Sequence, residues 1–172
     1  MDSPPAGGAV YDAAGPMGEG MYRRILLAYD GTAEGGLAVR EGALLAKQCC
    51  AQIFLLAVVP ETSATRLADG VYAGAVAQQI DPYQAMLERV AAWLEERGYN
   101  PVARLEVGEP APTIGAVAKA VDADLVVISH HHQGFLARLW EDSTEAWLSD
   151  HLSCTLMIAR NPLTEDAFVE AG

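Results

Sequence analysis

Five short strand-like runs constrain the fold of this chain more than any other feature. They read RRILLAY from Arg23, QIFLLAVV from Gln52, VARLEV from Val102, DLVVIS from Asp124 and TLMIA from Thr155. Near-continuous apolar character over so few residues suits strands covered on both faces. Helical stretches lie between them, and no hairpin signal joins any two runs. Strands that alternate with helices in this way predict a single parallel sheet with right-handed crossovers and helices on both sides.

The connecting segments carry their own signals. Asp30-Gly31-Thr32 ends the first run as a turn and helix cap. In the helix that follows, Ala38, Val39, Gly42, Leu45 and Ala46 share one face, and that face is small enough to pack close to a sheet. Pro60 to Ile80 reads as a long Ala- and Gly-rich connection, of a length that usually marks a lid, a binding loop or a partner surface. Asp81 is expected to cap the next helix with Pro82 at its first position, Tyr83, Met86, Leu87, Val90 and Leu94 to stripe it, and Gly98 to stop it. Ile114, Val117, Ala118 and Val121 mark a further helix, and adjacent Cys49 and Cys50 look like a helix end. Residues 1–20 read as a flexible N-terminal tail, with Met21 a candidate natural start, residues 21–160 as one domain, and residues 161–172 as an irregular acidic C-terminal tail.

Composition excludes several classes of function. With 172 residues, 51% of them hydrophobic, the chain suits one compact core rather than two domains. A formal net charge of −12 and the lack of any basic run argue against nucleic acid, and they oppose any polyanion that lacks strong local donors. No apolar run approaches the roughly 18 to 20 residues of a membrane span, and the N-terminus has no signal-peptide pattern, so a cytoplasmic protein without a membrane partner is expected. The 3 cysteines lack zinc spacing and read as reduced thiols.

The chain resembles the universal stress protein family from about Tyr22 to Arg160. The resemblance rests on AYDGT at the end of the first strand, Gly108 and Pro110 leading a helix, ADLVVIS before a loop, and DST before HLSCTLMIA. It implies a doubly wound five-stranded sheet of order 3-2-1-4-5 and a homodimer built by pairing the last strands. In one subgroup it also implies ATP at the carboxyl edge of the sheet; another subgroup binds no nucleotide. A nucleotide held in that way would lie against Ala28, Asp30, Ile128, Ser129, His132, Ser143 and Thr144, with Asp30 matching the family aspartate near the ribose and adenine.

The ATP-binding subgroup is marked by Gly, two residues, Gly, nine residues, then Gly and Ser or Thr. Here Ser129, His132 and Asp142-Ser143 stand at those positions, so all three glycines are replaced. His132 adds bulk where a backbone without Cβ hugs phosphates, and the Asp142 carboxylate would repel a triphosphate by about 1 to 3 kcal/mol. Ser143 and the helix N-terminus remain competent for one anion, and Arg138 is a candidate phosphate donor.

His130, His131 and His132 are consecutive, so only the first and third readily converge on a metal, and exposed loop histidines are the preferred reading. Ser129 and Ser143 share an edge with His130, which is too little to define a hydrolase. Trp93 reads as a helix-face residue at the core rim, Trp140 and Trp147 as fillers of the altered cleft, and His151 as ordinary surface. The reading that results is a non-catalytic, dimeric, stress-associated binding or regulatory module that does not hold ATP strongly, needs no cofactor, and works through an unknown protein partner. Its alternative is an adenine-nucleotide sensor taking ATP or AMP with Mg.

Overall fold

A computed structural model describes residues 20–60, 73–130, 143–160 and 165–171, with the backbone alone at 73–79, 143 and 171. Five strands, β1 (Arg24–Ala28), β2 (Gln52–Pro60), β3 (Val102–Gly108), β4 (Leu125–Ser129) and β5 (Thr155–Ala159), form one sheet of order β3-β2-β1-β4-β5. All four pairings are parallel, and β1 sits at the centre with Leu27 opposite both Leu55 and Val127. Two-sided burial explains the apolar runs: every residue of β4 is buried, as are Ile25 to Ala28 of β1. At the amino ends of β1 and β4, the Asp124 carboxylate accepts from the amides of Arg23 (2.7 Å) and Arg24 (3.1 Å) and ties the two central strands together.

Helices α1 (Ala33–Cys49) and α2 (Ala73–Glu95) cover one face of the sheet, and α3 (Pro110–Ala120) and α4 (Ser143–His151) cover the other. The small face of α1 does what its composition implies. Gly35, Ala38, Val39, Gly42, Ala43 and Ala46 are buried, and a Cβ at Gly42 would run into Leu27 Cδ2. Leu45 is only partly buried, so Ala43 takes a place in the core that spacing alone gave to Leu45. Cys50 caps α1 at φ 53°, in the left-handed region, with its amide on the last carbonyls.

Two boundaries differ from the sequence expectation. Helix α2 begins at Ala73, nine residues ahead of Pro82, which therefore lies inside the helix rather than at its first position. The segment AGAVAQQI has few branched residues and good helix formers, so the helix extends through the site where proline removes one backbone bond. The expected Pro60 to Ile80 loop thus shortens, with residues 61–72 outside the described part. The second difference is the C-terminal segment: Glu165–Ala171 forms α5 rather than an irregular tail. Phe168, 2% exposed, enters the core beside Trp93 and Tyr99, with ring centroids 5.0 and 6.0 Å away. Glu165 reaches Arg97 at 2.8 Å.

Truncating a fully buried aromatic ring costs about 3 kcal/mol or more, whereas an exposed ion pair contributes within about 1 kcal/mol. Urea unfolding of Phe168→Ala should therefore lose about 3 kcal/mol and that of Glu165→Ala about 0.5 kcal/mol or less. An unchanged midpoint for Phe168→Ala would show that α5 is not docked in solution.

Candidate functional site

The buried polar side chains among the described residues are Asp30, Ser129 and Thr144, at 4%, 5% and 6% exposure. All three belong to the carboxyl edge of the sheet. The register of β1 on β4 brings Ala28 level with Ile128, so Asp30 and His130 leave neighbouring strands side by side. Ala28 and Ile128 themselves are core residues, 3% and 1% exposed, beneath that edge.

Asp30 is fixed by the turn it begins. Its Oδ1 accepts from the Thr32 amide at 3.0 Å and from the Thr32 hydroxyl at 2.8 Å, while Thr32 Oγ1 accepts from the Gly35 amide at 2.9 Å. Thr32 thereby caps α1 and holds the carboxylate at once. Gly35 is needed for a plain steric reason: a Cβ there would collide with Asp30 Oδ1. Gly31, at φ 85°, lies against Met86 Sδ so closely that a side chain would be excluded, which brings α2 over the end of β1. Burial raises the Tyr29 phenol above its usual range; the Asp30 charge adds to the rise and Arg89 opposes it. Tyr83 is raised by burial and by Asp30 in the same way.

At the end of β4, His130 Nδ1 lies 2.9 Å from Glu145 Oε1 and 3.2 Å from Arg160 Nη2. A protonated Nδ1 donates to Glu145, and a bare Nδ1 accepts from Arg160; the two bonds use the same atom, so each proton position selects one. Glu145 stands in the first turn of α4, where a carboxylate complements the helix dipole. The structure thus brings together Asp30, Ser129 and Thr144 and adds Glu145, Arg160, Tyr83 and Gly35, none of which spacing had singled out. DSTE at 142–145 has the capping-box form and is the one signal that pointed to Glu145.

Other expectations fall differently. Ser143 opens α4, while His131, His132, Gln133, Gly134, Arg138, Trp140 and Asp142 lie outside the described residues. Among the described residues, no group of three or more His, Cys, Asp or Glu is placed to hold a metal. Trp147 does not fill the cleft at the carboxyl edge. It sits over Gly115 of α3, stacks on His151 at 4.0 Å, and lines a cavity of about 290 Å³ at the amino ends of β4 and β5. The cause is its place on α4, one turn along a helix that runs away from the carboxyl edge. His151 is exposed and its Nδ1 donates to the Trp147 carbonyl. All three cysteines are free thiols, and burial with the Asp124 charge raises that of Cys154.

The family model described as the universal stress protein family matches residues 21–160. The chain belongs to the universal stress protein family. No curated protein matches it significantly. Solved structures do share the fold. The universal stress protein UspA from Lactobacillus plantarum is 21% identical with a TM-score of 0.66, covering 81% of this chain and 98% of its own. A universal stress protein in complex with cAMP is 18% identical with a TM-score of 0.60, covering 81% and 97%. One from Archaeoglobus fulgidus in complex with dAMP is 17% identical with a TM-score of 0.61, covering 81% and 98%.

A tyrosine whose folded pKa is raised contributes stability below its unfolded value near 10 and loses it as pH climbs past that value. Stability of this universal stress protein should accordingly fall as pH rises from about 10. In an absorbance titration of the phenols, Asp30→Asn should shift Tyr29 and Tyr83 downward. Superimposable titrations of the two proteins would contradict the placement of Asp30.

Proposed function

We propose that this universal stress protein is a non-catalytic, stress-associated binding or regulatory module that does not hold ATP strongly and that acts in the cytoplasm as a homodimer with a further protein partner. The observation that carries the first part is the His130 and Glu145 pair. A phosphate would be drawn to the N-terminus of α4, and the protein's own carboxylate stands in that first turn with the His130 imidazole beside it. A triphosphate would have to displace or repel Glu145 in a chain of net charge −12. The Thr32 hydroxyl is committed to Asp30 and to the cap, so it is not poised as a nucleophile. Three free thiols suit a reducing compartment.

A second reading is favoured by two neighbours of the same fold, solved with cAMP and with dAMP. Both ligands are adenine nucleotides with a single phosphate. The Asp30 carboxylate, fixed by Thr32 at the end of β1, suits the hydroxyls of a ribose, and one phosphate meets less repulsion than three. AMP is the ligand that this reading assigns to Asp30, Ser129, Ser143 and Thr144, with Ala28 and Ile128 behind them.

Dimerisation rests on the contrast between the two edge strands. β3 exposes Val102 and Val107 but carries Arg104 and Glu106, charges that guard an edge, whereas β5 reads TLMIA, without a charge, and has Leu156, Met157 and Ile158 only partly buried. A second copy of β5 is the natural cover.

A ligand at ten times its Kd stabilises by about 1.4 kcal/mol, or about 3 to 6 °C here. In thermal unfolding, millimolar ATP with magnesium should stay within about 1 °C of the unliganded protein, and Glu145→Gln should enlarge the response. A rise of several degrees with ATP would overturn the first reading, and a rise with AMP alone would establish the second. For assembly, light scattering at micromolar concentration should give a dimer that Met157→Lys splits or unfolds; a wild-type monomer would refute the β5 interface.

A further inference from the structure

We propose that the cleft between α1 and α2 is a second ligand site, separate from the carboxyl edge, that takes a small aromatic monocarboxylate. The cleft has a volume of about 250 Å³ and is lined by Tyr29, Val39, Val90 and Trp93, with Arg40 and Arg89 beside them. It opens on the α1 and α2 layer, with which Tyr29 packs while Ala28 before it faces the other, and it adjoins the turn in which Thr32 and Gly35 hold Asp30. Aromatic and aliphatic walls with a few convergent cations make a site for a flat apolar body carrying one anion.

Three features define the ligand. First, Trp93 is held as a rigid wall: its ring stacks on Phe168 at 5.0 Å, with the Arg97 guanidinium 4.2 Å and the Arg40 guanidinium 5.7 Å from its centroid. With Phe168 and Arg97 on its ring, Trp93 gives the cleft a preorganised apolar wall rather than an open face. Second, Arg89 brings an exposed guanidinium to the cleft in a chain of net charge −12, and a carboxylate is the planar group that its fork receives; Arg40, the other cation of the lining, already meets Glu165 at 3.8 Å. Third, Asp30 adjoins Tyr29 in the turn held by Thr32, and its carboxylate disfavours a second negative charge at that end of the cleft. The volume lies just under that of sites for drug-sized molecules and suits one or two fused rings.

Gly36 supplies the decisive test. It lines the cleft, and a Cβ built there meets nothing within 4 Å, so a larger side chain enters the cleft without strain and fills it. The probe is 2-naphthoate, titrated calorimetrically into the dialysed full chain. We expect saturable one-to-one binding, at least tenfold weaker binding of the uncharged 2-naphthamide, and at least tenfold weakening by Arg89→Ala with partial retention in Arg89→Lys. Arg89 is exposed, so its replacement leaves the fold intact. Gly36→Leu should abolish binding while keeping or raising Tm, since glycine is the poorer helix former. AMP should not displace the probe. The proposal is overturned by non-saturable binding at millimolar probe, by equal affinity for the amide, by undiminished binding in Gly36→Leu, or by displacement with AMP, which would place naphthoate at the carboxyl edge.

Discussion

The close approach of α1 to the centre of the sheet is the constraint on which the rest of this structure depends. It is possible because Gly42 has no Cβ to meet Leu27 and Gly35 none to meet Asp30. With the helix that near, Thr32 can receive the Gly35 amide and still donate to Asp30, so one packing distance sets both the cap and the carboxylate. A buried carboxylate is costly unless hydrogen bonds surround it. The site at the end of β1 is therefore a product of core packing rather than an addition to it.

Charge is distributed unevenly over this frame. Among the described residues, the carboxyl edge of the sheet gathers Asp30 and Glu145 with Arg160 near, while the α1 and α2 layer gathers Arg40, Arg89 and Arg97 about Trp93. Family membership accounts for the fold, and neighbours below 25% identity share little beyond it. What a given member binds is then decided by which side chains stand at the strand ends.

Much of the fold was legible in the sequence because two-sided burial writes itself as continuous apolar runs, and Asp30-Gly31-Thr32, Gly98 and Pro110 punctuate them. Two elements were not legible, for opposite reasons. At α2, Asp81-Pro82 imitates a start so well that it masks a helix already running from Ala73. At α5, seven residues are too few to form a helix unaided, and only the contact of Phe168 with Trp93 and Tyr99 makes one. In the site, Asp30, Ser129 and Thr144 could be chosen from their places at strand and helix ends. Tyr83 and Met86 reach that edge through the crossing of α2, and Arg160 through β5, which no local pattern records.

The docking of Phe168 also sets the order in which this protein can be completed during synthesis. A chain made from its amino end displays α1, α2 and all five strands before α5 exists, so Trp93 and Tyr99 stay uncovered on a nascent domain whose sheet is already complete in sequence. Exposed aromatic surface on a partly assembled layer is what invites misassociation and chaperone capture. This helix thus serves as a closing latch: the layer seals only once the segment carrying Phe168 has been made, and a chain that stopped short of it would leave a folded sheet with an unsealed flank.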